Sequence, residues 1–194
     1  MRRKKILIPI EIIPAHLHLS QKMWVTLFGK KTEPQILRRL DQRGQAVYRQ
    51  TVTVKGPKGE LKNVRVLGGA RRQTQIELSE AEALALGIKP IWRLSGKLSC
   101  SAGCKLIGPA GKAVVKNGVI IPFPHLHLNH KEAEVFGLCQ GQKIEVGFLE
   151  DKESKIQVMV RVHPSFRAAL HLMPDLAAKL WLSSSEKVIL ENQI

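Results

Sequence analysis

His16-Leu17-His18-Leu19-Ser20 and His125-Leu126-His127-Leu128-Asn129 are two versions of one five-residue pattern. In an extended strand alternate side chains share a face, so both imidazoles of each pair point one way and the leucines the other. The Ser or Asn that follows is a helix N-cap type. Each stretch therefore reads as a strand that hands over to a short helix. Glu77-Leu78-Ser79 through Leu86-Gly87 repeats the unit at a constant offset from His127-Leu128-Asn129 through Phe136-Gly137, and His18 through Gly29 fits both with one extra residue. His171-Leu172-Met173 before Pro174 is a weaker fourth copy. Met173 has no side-chain oxygen to cap with, although proline suits a first helical turn. The residue before the leucine is His18, Glu77, His127 and His171 in turn, and all of these are metal-ligand types.

Outward from these units the chain predicts short strands near 6–13, 50–55, 63–67, 74–78, 105–107, 118–121, 143–148 and 156–162, where β-branched or alternating apolar residues recur. Two nearly identical turns, Gly56-Pro57-Lys58-Gly59 and Gly108-Pro109-Ala110-Gly111, separate some of them. Helices are predicted only near 20–28, 79–86, 129–136 and 174–180. The basic segment 29–44 lacks periodicity and reads as a surface loop with room for a helical turn. Many short strands and few helices predict a mainly β chain of barrels or sandwiches.

Composition narrows the partners. The 194 residues are 44% hydrophobic, enough for a real core. Lys and Arg outnumber Asp and Glu by 31 to 16, a formal charge of +15, so the surface attracts polyanions or phosphate-rich small molecules. Cys100, Cys104 and Cys139 form no C-x-x-C pair, and their odd number points to a reducing cytoplasm. No apolar run spans a bilayer. The basic-then-apolar start is interrupted by Pro9 and Glu11 and reads as a strand rather than a signal peptide.

The candidate ligands are His16, His18, Glu77, His125, His127 and His171. Six exceed what one tetrahedral zinc site needs, so two metal ions are expected. His130 and His163 fall outside the repeat and read as ordinary histidines. Arg71 is six residues from Glu77, an even strand spacing that would place it on the metal face to bind an oxyanion, with Arg72 pointing away. Arg38, Arg39, Arg43, Lys55, Lys58 and Arg65 enrich the first half in cations, which fits a ligand with several phosphates. No P-loop or G-x-G-x-x-G is present, so phosphates would be held by barrel loops. The residues leave open a two-zinc hydrolase of phosphate or thioester bonds, or a non-catalytic basic barrel that binds nucleic acid. Five Phe, three Trp and one Tyr without a stacking cluster weigh against nucleic acid.

The stretches His16-Leu17-His18-Leu19-Ser20, Gly56-Pro57-Lys58-Gly59, Val64-Arg65-Val66-Leu67-Gly68 through Arg71, Gln73-Thr74-Gln75-Ile76-Glu77, Ser95-Gly96, and Gly118 through His127 occur in the order seen in one family. From about Ile6 past His171 the chain resembles the PduL-type phosphate acyltransferases, also called phosphotransacylases or phosphate propanoyltransferases. The resemblance implies two associated Greek-key-like β-barrels with a few short helices. One would combine residues 1–14 with 122–194, and the other would use 15–121. It implies two zinc ions. His16 and His18 would hold one, with Glu77 or the coenzyme A sulfur; His125, His127 and His171 would hold the other, with waters. It makes Arg71 the phosphate-binding arginine and Glu77 a possible proton carrier, with Arg38, Arg65, Leu67 and His171 at coenzyme A. The implied reaction converts acyl-CoA and phosphate to acyl phosphate and coenzyme A, in a cytoplasmic homodimer that lacks a microcompartment-targeting extension. The chain departs from the family at Ile13-Pro14-Ala15, Pro124, Met173 and Ala178, which bears on coenzyme A affinity and acyl choice.

Overall fold

The computed structural model describes residues 5–40, 44–149 and 155–191. In chain order the elements are β1 (Lys5–Ile12), β2 (His16–His18), α1 (Gln21–Phe28), β3 (Ile36–Arg39), β4 (Ala46–Lys55), β5 (Glu60–Leu67), β6 (Gln75–Glu77), α2 (Glu80–Ala85) and β7 (Trp92–Arg93). They continue with β8 (Ala102–Ile107), β9 (Lys112–Pro122), β10 (His125–Leu128), α3 (His130–Phe136), β11 (Lys143–Phe148), β12 (Lys155–Val162), β13 (Ala169–Leu172), α4 (Pro174–Lys179) and β14 (Lys187–Glu191). The mainly β expectation holds, with two six-stranded barrels and, among the described residues, four short helices.

The described chain divides into two compact units, one of residues 5–13 and 123–191 and the other of 14–40 and 44–122. In the first, β1-β13-β10-β12-β11-β14 closes on itself. In the second, β4-β5-β2-β6-β9-β8 returns to β4, with β3 and β7 attached outside the ring. The rings share one pairing pattern. β2 lies antiparallel to β6 and parallel to β5, and β6 lies parallel to β9. Likewise β10 lies antiparallel to β13 and parallel to β12, and β13 lies parallel to β1. Closure leaves neither ring an exposed edge strand of its own.

The repeat seen in the sequence is the strand-to-helix unit of both barrels. Leu17, Leu19, Ile76 and Leu78 enter one core; Leu126, Leu128, Leu170 and Leu172 enter the other. Burying each such leucine contributes about 1.5–3 kcal/mol. Ser20 caps α1 by accepting from Met23 N, and Ser79 and Asn129 form capping boxes with Glu82 and Glu132. Met173 makes no side-chain cap, and Pro174 opens α4. The segment 29–44 differs from expectation: Ile36–Arg39 is a strand paired with β4, so backbone pairing supplies the order that its exposed side chains do not advertise. Residues 41–43 of that segment lie outside the described residues. The short β7 and the terminal β14 also escape sequence reading, being too brief or too weakly alternating.

The two Gly-Pro turns close onto helix ends. Lys58 N donates to Leu86 O (3.0 Å) and Ala110 N to Leu27 O (2.9 Å), satisfying carbonyls at the ends of α2 and α1. A Cβ at Gly56 would lie 2.2 Å from Leu86 O, and one at Gly108 would lie 2.4 Å from Leu27 O. Gly56→Ala and Gly108→Ala are each expected to cost about 1–3 kcal/mol through this overlap with fixed backbone. A urea midpoint equal to the parent's, at unchanged slope, would show that the turns do not press on the helices.

Candidate metal centres

In the second unit β2 and β6 run antiparallel with His16 opposite Glu77 and His18 opposite Gln75. Leu17 and Ile76 point into the barrel, so these four polar side chains share its outer face. They are nonetheless buried, His16, His18 and Glu77 being only 5% exposed each. The ligand atoms of His16, His18 and Glu77 lie within 4.8 Å of one another. His16 Nε2 is 3.5 Å from Glu77 Oε2.

Backbone carbonyls set the histidine tautomers. His16 Nδ1 donates to Pro14 O (3.0 Å) and His18 Nδ1 to Leu67 O (2.9 Å). A carbonyl can only accept, so each ring carries a proton on Nδ1, and the neutral tautomer with that proton is the one that leaves Nε2 a lone pair. Arg71 Nη2 donates to His18 Nε2 at 3.1 Å, a second reason for that tautomer. Burial, then the neighbouring His16, drive the His18 pKa down from 6.5 to about 3; Arg71 lowers it further, while Glu77 and the Leu67 carbonyl oppose the shift.

Around this core Gln75, 1% exposed, holds the acid in place. Its Nε2 donates to Glu77 Oε1 and to Ser95 Oγ (2.8 Å), and its Oε1 accepts from Gly96 N (2.7 Å). Arg71 Nη1 reaches Ser95 Oγ at 3.3 Å, and Arg71 N donates to Leu19 O (2.8 Å), next to His18 in the chain. Arg71 thus reaches the centre through an isolated bridge to Ser20 and not through even strand spacing, because β6 begins only at Gln75. Arg72 is exposed.

The first unit repeats the arrangement with β10 and β13. His125 stands opposite His171, and His127 lies one strand step on. Their ligand atoms also fall within 4.8 Å of one another, and all three residues are buried. His125 Nδ1 donates to Phe123 O at 2.8 Å. The His127 ring stacks on Phe166 with centroids 3.8 Å apart. Burial, followed by His171, His125, Arg161 and His163, holds its pKa far below the usual imidazole range. His171 Nε2 is 2.9 Å from Glu11 Oε2, on the neighbouring strand β1.

Both donor sets fit a divalent metal such as zinc. Buried imidazoles whose donor atoms lie within 4.8 Å of one another, three of them with an Nδ1 proton given to a carbonyl, are donors that zinc takes, together with carboxylate.

A family profile described as phosphate propanoyltransferase matches residues 9–182. The chain belongs to the phosphate propanoyltransferase family. It is therefore an acyltransferase. The relative from Thermotoga maritima is 36% identical over 96% of this chain and 90% of its own length. The relative from Alkaliphilus metalliredigens is 39% identical over 87% and 80%, and the one from Shewanella putrefaciens is 38% identical over 97% and 89%. Each is named phosphate propanoyltransferase.

Other residues singled out in this acyltransferase's sequence fall in several places. Arg38 is exposed on β3. Arg65 is exposed on β5, in register with His16, and donates to Arg49 O (2.6 Å). Leu67 ends β5, and its carbonyl orients His18. His130 is the first residue of α3, and His163 is exposed beside Ser165. Sequence reasoning assigned no role to Gln75, Ser95, Glu11 or Phe166. Gln75 was within reach, being two residues before Glu77 on one strand; the others need the fold.

The depressed histidine pKa values have a sign. Between about 3 and 6.5 the unfolded chain binds a proton at His18 that the folded apoprotein refuses, so stability rises with pH across that window. The melting temperature of the metal-free protein is expected to drop steadily as pH falls through about 6.5. A flat profile across the window in calorimetry would contradict burial of neutral imidazoles.

Proposed function

We propose that the protein is a zinc-dependent phosphate acyltransferase that interconverts acyl-CoA plus phosphate with acyl phosphate plus coenzyme A, acetyl or propanoyl being the acyl group. The observation that supports this reading best is the Arg71 guanidinium 3.1 Å from His18 Nε2, an anion-binding cation at the edge of a buried two-histidine, one-carboxylate donor set. His16, His18 and Glu77 would hold one zinc, and His125, His127 and His171 the other. A zinc ion held there with a position left open would supply Lewis acidity toward a thioester carbonyl and affinity for a thiolate.

The chain's own residues do the rest. Arg71, braced by Ser95, binds phosphate and offsets its charge as a phosphate oxygen attacks the carbonyl carbon. The carbon–sulfur bond then breaks and coenzyme A leaves as thiolate, so no nucleophilic side chain is required. Gln75 keeps Glu77 oriented, and Glu77 is placed to ligate metal or to pass a proton. Arg38 and Arg65, exposed in the same unit, and Leu67 are proposed to contact coenzyme A, the two cations serving its phosphates. His171 is proposed as a coenzyme A neighbour as well as a ligand. The family likeness further supports a homodimer.

His18→Ala and His125→Ala are each expected to abolish thiol release from acetyl-CoA or propanoyl-CoA while leaving far-ultraviolet circular dichroism intact; near-normal turnover in either would remove the metal assignment. Arg71→Ala is expected to raise KM for phosphate and lower kcat, by roughly 10²–10³ overall. A phosphate response equal to the parent's would take Arg71 out of the reaction. Thiol release that proceeds without phosphate, and without acyl phosphate formed, would show a hydrolase instead.

A further inference from the structure

We infer that the outer face of β4, β8 and β9 is a docking surface for an anionic lipid bilayer, with Lys55, Lys105, Lys112 and Lys116 grouped around the exposed Val114. The inference is independent of the metal and acyl-transfer readings above.

The charge of the chain is unevenly placed. Residues 14–40 and 44–122 carry 18 of the 31 Lys and Arg but five of the 16 Asp and Glu, which is +13 of the formal +15. The 49 residues from Ala83 to Lys131 contain no Asp or Glu, and β8 and β9 both lie within that stretch.

Strand alternation then gathers lysines on one face. Val52 and Val54 of β4, Cys104 and Leu106 of β8 and Val115 of β9 enter the barrel core. Lys55, Lys105, Lys112, Val114 and Lys116 consequently project outward. Lys55 stands opposite Lys105, and Lys105 opposite Val114, in one row across three strands. Lys112 and Lys116 lie two residues to either side of Val114. Lys55, Lys112 and Lys116 are exposed, Lys105 is half-buried, and Val114 is 70% exposed. β4, β8 and β9 contain no acid. Glu60, across from Lys55 on β5, pairs with Lys62 at 3.4 Å. Like charges directly opposite one another weaken a sheet, and an apolar side chain left in water adds nothing to folding. The arrangement costs stability and is accounted for by a partner that is anionic at the lysines and apolar at the valine.

The chemistry of the face selects among anionic partners. Its cations are lysines, hydrated point charges without the fixed fork of arginine. Protein interfaces deplete lysine and favour aromatic residues and arginine. Single-stranded nucleic acid needs stacking aromatics, whereas Tyr48, the one aromatic of these three strands, packs against the core. A convex face three strands wide is also too broad for a duplex groove, which admits a helix or a two-stranded ribbon. A bilayer asks for neither forks nor stacking. Its headgroup phosphates meet the lysines as a diffuse layer of charge, and a small apolar side chain at the centre enters the interface.

The test is co-sedimentation of the full chain with vesicles of phosphatidylcholine or of phosphatidylcholine mixed with phosphatidylglycerol, and fluorescence anisotropy with duplex DNA and with polyglutamate. The parent is expected to bind the anionic vesicles at low ionic strength, to leave them at high ionic strength and to ignore phosphatidylcholine. The triple variant Lys105→Gln, Lys112→Gln, Lys116→Gln is expected to bind roughly 100-fold more weakly. A control with the same loss of charge in the other unit, Lys131→Gln, Lys143→Gln, Lys155→Gln, is expected to stay close to the parent. Tryptophan emission in Val114→Trp is expected to be quenched by brominated anionic lipid beyond the parent's level. A parent that stays in the supernatant with anionic vesicles overturns the inference. So do equal losses in the two triple variants, since binding would then follow net charge and not this face. Quenching in Val114→Trp that matches the parent overturns it as well, whatever the fold of the triple variant. Tighter binding of DNA or polyglutamate than of anionic vesicles, lost in the Lys105–Lys112–Lys116 variant, replaces the bilayer with that partner.

Discussion

Three ring protons given to backbone carbonyls underlie both centres. His16, His18 and His125 each commit Nδ1 to a main-chain oxygen. That bond selects one tautomer, fixes the ring and turns the Nε2 lone pair toward the neighbouring donors. At His18 a charged ring would also have to be desolvated, beside His16 and Arg71, so the neutral form is the one that burial favours. Without the carbonyls the clusters would be crowded polar groups. With them the rings are held in one orientation, as a metal site would need.

The carbonyls are in position because each His-x-His strand is pinned on both sides. Antiparallel pairing on one side brings in Glu77 or His171, and parallel pairing on the other brings in β5 or β12. The leucines between the histidines anchor the strand in a barrel core, so sliding by one residue would exchange leucines for imidazoles and cost several buried side chains. Ligand geometry is thus enforced by apolar burial on the opposite face of the same three or four residues. Chain routing uses the same device twice. β1 leads directly into β2 and β9 into β10, yet each leading strand closes the barrel of the other unit, β1 against β13 and β9 against β6.

The electrostatics suit an anionic substrate at a neutral-to-cationic site. The chain carries +15 overall, and Arg71, held by Ser95 and by the backbone of Leu19, projects a guanidinium onto His18. Gln75 meanwhile binds Glu77, Ser95 and Gly96 N, tying the acid and the arginine's support into one network. Such a network is stiff because each member is satisfied, and losing one would leave a buried polar group without its bond.

Much of this was legible in the chain alone. The mainly β barrel class followed from short apolar strands and Gly-rich turns, and the strand-to-helix unit from the Leu, Ser/Asn and Gly positions around His18, Glu77, His127 and His171. Those are local signals, carried by side-chain periodicity and capping chemistry, and local signals need no partner to be read. What lay beyond the sequence depends on which strand lies beside which. The opposition of His16 to Glu77, of His125 to His171 and of His171 to Glu11 is set by hydrogen-bonded register between segments 46 to 160 residues apart, which no periodicity encodes. The route of Arg71 to His18 through a bridge to Ser20, and the strand at 36–39, are of the same kind. Residue types and their local spacing determined what chemistry this protein could carry; the closing of two barrels decided which atoms meet to carry it.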